Sequence, residues 1–285
     1  MPEIEHWHLI EPVIAQALAE DLGYGDVTTE ALIPPELRGM ASIEIKANGI
    51  LAGIEVASAV FYWVDPSLQF EALIPDGSKV KPSDIVATVE GRVFSILKAE
   101  RVALNFLQRL SGIASETYRY VEAVKGLNVR IMDTRKTTPG LRFLEKYAVR
   151  IGGGYNHRLH LGDGVLIKDN HLAVLHSQGV GLKEVIAEAK QKAPPSFKIE
   201  VEVSTAEEAM EAMKAGANII MLDNMSLEKM RHTAELIKGR VLLEASGGIT
   251  LDNVRRVAET GVDLISIGAL THSVKALDIS LEIED

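Results

Sequence analysis

The sequence predicts an α/β protein in two parts, an α+β domain over residues 1–112 and a βα barrel over residues 113–273, with residues 274–285 returning to the first part. Three observations predict it. In the second part apolar runs alternate with helix-like stretches, and from residue 198 onward the runs recur every 20 to 23 residues, the spacing of βα units in a parallel sheet. In the first part, short alternating segments are separated by turn residues. In KIEVEV (198–203), Ile199, Val201 and Val203 alternate with Glu200 and Glu202. A doubly wound sheet is covered by helices on both faces, so its strands read as unbroken apolar runs. Alternation instead sets one strand face against helices and the other toward a barrel interior.

The elements follow in order. Residues 10–20 carry the pattern of an amphipathic helix. MASIEIKANG (40–49) alternates like a strand, and LIPDGSKVKPSDIVATVEGRV (73–93) reads as short strands with turns at Asp76-Gly77, Pro82 and Gly91. The stretch around Lys79 and Lys81 resembles the turn of a biotinyl or lipoyl carrier. Both lysines precede a proline turn rather than cap a hairpin tip, so the pattern reads as structural. Residues 100–110 look helical and lead to a joint near Ser111-Gly112. Barrel strands are expected at 129–132, 165–167, 198–203, 218–222, 241–243 and 264–267, with helices at 182–192, 206–215, 227–238 and 251–260. About six strands are visible, which leaves room for a barrel of fewer than the usual eight. Ser204-Thr205 with the acids behind them open one helix, and Ser226 and Thr250 are cap candidates for the next two. Gly216, Gly239 and Gly261 read as stops. ALDISLEIED (276–285) alternates like a strand that pairs with the N-terminal sheet.

Composition narrows the function. The hydrophobic content of 47% and charged content of 25% are ordinary for a globular protein. No apolar run approaches the roughly 18 residues of a membrane span. The start, MPEIEHWHLI, lacks a basic region and a small-residue cleavage site, so no signal peptide is expected. The absence of cysteine excludes disulfides and thiolate metal sites and points to a reducing cytoplasm. A formal charge of −10 argues against broad nucleic-acid binding. Against that acidic background, residues 133–171 carry seven Lys/Arg, three His and only four acids.

The chemistry-bearing residues collect at strand ends. Asp133, Thr134, Arg135, Lys136, Thr137 and Thr138 follow one apolar run, and Lys168, Asp169 and Asn170 follow another. Arginine offers a planar fork and lysine a point charge to carboxylate or phosphate, so Arg135, Lys136, Arg158 and Lys168 suggest an anion site. For Arg142, Lys146 and Arg150, charge on a solvated helix face is an equally good account. His157 and His160 could share a helical face as zinc ligands, but no third partner has suitable spacing and Arg158 repels a cation. Glu202 and Asp223 end successive strands and could converge at one barrel mouth, pairing with local cations or holding a hard divalent metal. Ser246-Gly247-Gly248 and Ile267-Gly268-Ala269 follow late strands, where backbone N–H groups suit a phosphate and where tight turns alone are the plain alternative. The set suggests a phosphorylated sugar and an anionic partner.

EDLGYGDVTT (20–29), ERVALNFLQRLSGIAS (100–115), DTRKTTPGLR (133–142), GGGYNHRLHLGDGVLIKDNH (152–171), EVEV (200–203), LDN (222–224), EASGGI (244–249) and IGALTHS (267–273) together resemble the quinolinate phosphoribosyltransferases over nearly the whole chain. The resemblance implies an N-terminal α/β sandwich followed by an incomplete α/β barrel. It implies a pentosyltransferase of NAD biosynthesis that joins quinolinate to 5-phosphoribosyl-1-pyrophosphate and yields nicotinate mononucleotide, CO₂ and pyrophosphate with Mg²⁺. It also implies dimers with shared sites. In this chain Arg135, His157, Arg158 and Lys168 would then bind the quinolinate carboxylates, with Arg101 reaching in from the second subunit. Thr134 belongs to the same substrate-binding motif. Lys136, Glu202 and Asp223 would be catalytic, facing the donor, with the two acids facing its metal. Ser246, Gly247, Gly248, Ile267, Gly268 and Ala269 would cradle the 5-phosphate beside His272. The alternatives are a transferase for nicotinate, a paralogue associated with molybdate uptake, and a barrel that binds a nucleotide without turnover.

Overall fold

The computed structural model describes residues 6–284. Residues 1–5, part of the segment read for a signal peptide, and Asp285, the end of the alternating tail, lie outside the described residues. Strands run β1 (Arg38–Ile45), β2 (Gly49–Ile50), β3 (Gln69–Ala72), β4 (Lys79–Val80), β5 (Ile85–Arg92), β6 (Arg130–Met132), β7 (Val165–Ile167), β8 (Ile199–Val203), β9 (Ile219–Asp223), β10 (Leu242–Ser246), β11 (Leu264–Ser266) and β12 (Ile279–Ile283). The chain forms two compact units. The first holds the residues through Tyr118, then Thr137–Gly153 and the residues from Leu270 onward; the second holds Arg119–Lys136 and Gly154–Ala269.

The first unit carries an antiparallel sheet in the order β12-β1-β5-β3, with β2 and β4 paired apart from it. Its strands bury Ile43, Ile45, Ala87 and Val89 completely. The helix Trp7–Leu22 packs on the helices Ile54–Val64 and Arg142–Ile151. Ile54–Val64 carries no clear polar face, because six of its residues are buried. That is why an amphipathic period does not reveal it.

One turn expectation fails in this unit. Gly91 lies inside β5 rather than at a turn: a Cβ there would stand 2.5 Å from Leu68 Cδ2, so the glycine admits a close neighbour. Ser111-Gly112, where the sequence places the joint between domains, lies within a 31-residue helix, Val93–Ala123. Ser111 Oγ accepts from the Ala52 N–H at 3.0 Å, and Ser115 Oγ from that of Ile50 at 2.7 Å.

The second unit is a six-stranded parallel sheet in the order β6-β11-β10-β9-β8-β7. Among the described residues no pairing joins β6 to β7, so the barrel is incomplete. Register aligns one face across the sheet: Glu202 sits opposite Met221, Met221 opposite Glu244, Asp223 opposite Ser246, and Ser246 opposite Ser266. The other face is apolar, with Ile199, Val201 and Val203 buried on β8. Thr205 caps the helix Ala206–Ala215 with a reciprocal Glu208 bond, Ser226 caps Leu227–Ile237, and Gly216 ends its helix in the left-handed region. Thr250 is not a cap: the helix begins at Val254, and Asn253 Oδ1 accepts from the Thr250 N–H. Lys238, ahead of Gly239, takes the left-handed C-cap position.

Candidate active site

The aligned strand face opens into a cavity of about 160 Å³ at the strand C-terminal ends. Its cations are Arg135, Lys136, Arg158 and Lys168, and its acids are Glu202, Asp223 and Glu244. Thr134, His157, Ser246 and Ser266 complete the polar wall, and Leu166 and Met221 supply apolar surface. The cavity thus gathers nine of the residues singled out from sequence. Strand geometry explains why: side chains two apart share a face, so Leu166 leads to Lys168, Glu200 to Glu202, and Met221 to Asp223.

Arg135 Nε is buried without a hydrogen-bond partner. Burial and the neighbouring Arg135 hold the Arg158 guanidinium below its usual range. Two like charges brought together in a partly dry cavity favour an anionic guest. Asp133 is fully buried, and it organises the chain around the site rather than joining the wall. It accepts from the His157 N–H at 2.8 Å and from Asn156 Nδ2 at 2.6 Å. Tyr155 pairs with the end of β6, its N–H donating to Ile131 O at 2.8 Å.

The acids form two groups. Glu202 is pushed up by burial, by Asp223 and by Asp169. Deeper, His157 Nε2 lies 3.2 Å from Glu200 Oε2 and 3.7 Å from Glu244 Oε2. Glu244 is fully buried, and burial and Glu200 push its carboxyl up to about 7. This is the group of three with metal-ligand spacing among the described residues, within 4.8 Å, and it excludes His160. His160 is exposed and precedes a short 3-10 turn, so His157 and His160 share no helical face.

The glycine loops stand at the neighbouring strand ends. Gly247 has φ +91°, and a Cβ on it would lie 2.2 Å from Asn224 Oδ1. Asn224, itself at φ +50°, donates from its backbone to Ser246 O and from its side chain to Asp223. It therefore couples the acid to the loop; the signal for it was the LDN triplet. Ile267 N–H donates to Met132 O at 2.9 Å, so the sheet already uses that amide. Gly268 and Ala269 follow it at the strand end. Arg101 and His272 belong to the first unit, Arg101 exposed on the long helix and His272 bonded to Ser273 Oγ. Glu200, Glu244 and Ser266 were not among the expected site residues: alternation turns Glu200 toward the interior without naming its partner, and Glu244 and Ser266 carry no such local signal.

Known proteins share this architecture and sequence. Models of the N-terminal and C-terminal domains of quinolinate phosphoribosyl transferase match residues 26–111 and 113–282. The chain is 44% identical over 280 residues to a probable nicotinate-nucleotide pyrophosphorylase [carboxylating] of Synechocystis sp., covering 97% of this chain and 93% of that protein. It is 45% identical over 264 residues to a probable enzyme of the same name from Bacillus subtilis, covering 93% and 90%. Among solved structures, NadC from Streptococcus pyogenes superposes with a TM-score of 0.93 at 42% identity, covering 100% of both chains. The nicotinate-nucleotide pyrophosphorylase of Francisella tularensis gives 0.91 at 36% identity, covering 99% of this chain and 98% of that one. With both domain models matched in order and identity above 40% across the chain, this protein belongs to the quinolinate phosphoribosyltransferase family.

Proposed function

We infer that the protein transfers phosphoribosyl from 5-phosphoribosyl-1-pyrophosphate to quinolinate, with decarboxylation, to give nicotinate mononucleotide, CO₂ and pyrophosphate. The observation that carries this reading is the buried, unpartnered Arg135 Nε beside Arg158 and Lys168 in one cavity with Glu202 and Asp223. Quinolinate is a planar dianion. Two guanidinium forks and an ammonium suit its adjacent carboxylates, while a nicotinate site would need fewer cations.

Lys136, Glu202 and Asp223 face the donor. As the bond from ribose C1 to the pyrophosphate oxygen breaks, the leaving group takes the electron pair and the ribose gains oxocarbenium character. Glu202 or Asp223 stabilises that charge. The quinolinate ring nitrogen then bonds to C1 and becomes quaternary. The adjacent carboxylate departs as CO₂, its bonding electrons remain at the ring carbon beside that nitrogen, and a solvent proton replaces it. No dedicated base is required. The loop 246–248 and Gly268-Ala269 offer backbone N–H groups to the 5-phosphate.

Glu202 and Asp223 fit a hard divalent ion: both offer oxygen, and burial and the neighbouring Asp223 push the Glu202 carboxyl up. They would hold Mg²⁺. When bound, Mg²⁺ neutralises the pyrophosphate leaving group. The lack of cysteine fits a reducing cytoplasm, and no helix among the described residues is long and apolar enough to cross a membrane.

The deciding experiment incubates the protein with quinolinate, 5-phosphoribosyl-1-pyrophosphate and Mg²⁺ and follows nicotinate mononucleotide. Quinolinate should be used at least ~100-fold better than nicotinate, because losing one carboxylate leaves a buried cation unpaired. Equal efficiency would remove quinolinate. EDTA should abolish turnover and added Mg²⁺ restore it; full turnover in metal-free buffer would remove the metal.

A further inference from the structure

His157 lines the cavity, yet both its ring nitrogens are turned to the protein. Nδ1 accepts from the Arg158 N–H at 2.9 Å. A nitrogen that accepts carries no hydrogen, so the proton of a neutral ring sits on Nε2. Nε2 points to Glu200 Oε2 at 3.2 Å, with Glu244 Oε2 behind at 3.7 Å, and the Glu200 and Glu244 side chains are 8% and 0% exposed. An imidazolium would set an Nδ1–H against the Arg158 N–H. A metal at Nε2 would require the hydrogen on Nδ1, where the ring already accepts. The distances thus disfavour both a cationic substrate ligand and a metal ligand.

We propose that His157 is a positioning residue, a neutral Nε2–H ring held by Glu200 over Glu244, whose Nδ1 fixes the backbone of Arg158 and so aims that guanidinium at the anion. The proposal rests on the reading of the cavity as the quinolinate site. Arg158 gains a second hold where its Nη1 donates to Gly164 O at 3.3 Å. Glu200 acts through the His157 ring and by its own charge near Arg158, and Glu244 backs the ring where it lines the cavity. A chain of contacts runs from Glu200 through the ring to the Arg158 backbone.

Two measurements test this. The first uses the free protein labelled with ¹⁵N-histidine, with the His157 signals assigned by their loss in His157→Asn. A pyridine-type Nδ1 and a pyrrole-type Nε2 at pH 7 are expected. Two pyrrole-type nitrogens, or a pyridine-type Nε2 that shifts with added Zn²⁺, would overturn the proposal. This arm stands whether or not quinolinate is the substrate. The second compares KM for quinolinate with KM for the donor. Asparagine can offer its Oδ1 where Nδ1 stood, so His157→Asn should keep KM for quinolinate within about threefold, while His157→Ala raises it about tenfold, the worth of one hydrogen bond near 1.4 kcal/mol. Glu200→Leu should raise it similarly with the donor KM unchanged, and Glu200→Gln, which keeps an acceptor, should restore most of the loss. Equal damage from His157→Asn and His157→Ala means that the ring meets the substrate directly and sinks the idea. If wild type turns over no quinolinate, the functional reading fails while the nitrogen signals still decide the tautomer.

Discussion

Asp65 shows what one charged side chain does in the first unit. It is buried, and burial alone would raise its carboxyl. Hydrogen bonds from Ser67, Ser95 and Arg92 outweigh that and hold it well below the usual aspartate range. A folded value below the unfolded one means that the stabilisation is complete above the unfolded value, about 3.9, and fades as pH falls through the folded value. Asp65→Asn should therefore cost roughly 1–3 kcal/mol at pH 7. Urea melts should show the gap persisting at pH 5 and closing only under more acid conditions; a gap already gone at pH 5 contradicts the assignment. At this scale the cavity was partly legible in sequence. Arg135, Arg158 and Lys168 stand out because a cation beside an apolar run needs a reason. Glu200 and Glu244 do not stand out, because whether a strand acid meets water, a metal or a histidine depends on partners from other strands.

Gly112 and Gly247 show what glycine does within an element. Sequence reads Ser111-Gly112 as a joint between domains; the helix runs through it, and a Cβ on Gly112 would stand 2.3 Å from Lys275 O. The glycine serves a close backbone approach rather than a turn, and sequence cannot separate the two when the approaching segment lies 163 residues later. Gly112→Ala should cost about 1–3 kcal/mol by overpacking, read as a lowered midpoint in chemical denaturation. An unchanged midpoint would show that residues near 275 move aside freely. Gly247→Ala tests the proposed donor site instead. It meets Asn224 Oδ1 at 2.2 Å in a left-handed backbone, so KM for 5-phosphoribosyl-1-pyrophosphate should rise at least ~10-fold with KM for quinolinate little changed. An equal rise in both would mean that the loop does not single out the donor. The βα units themselves were legible, since their period and caps are local signals. The helix Ile54–Val64 was not, because burial on most sides erases the period.

For the whole molecule, the open question is how many chains make one site. The cavity's cations all belong to the second unit, whereas Arg101 is exposed on the long helix of the first. The family resemblance implies that Arg101 reaches quinolinate from a second subunit; on that reading the dimer would be the active species. Arg101→Ala and Lys168→Ala should each be nearly inactive alone. Mixed dimers would place both lesions in one site and leave the other intact. Random mixing makes about half the dimers mixed, each with one good site, so roughly a quarter of wild-type activity should return if the sites act independently. Native mass spectrometry confirms that mixed dimers have formed before activity is read. Mixed dimers without recovery would assign Arg101 to the site of its own chain or require coupling between the sites. Full turnover by wild-type monomer at high dilution would reject sharing outright.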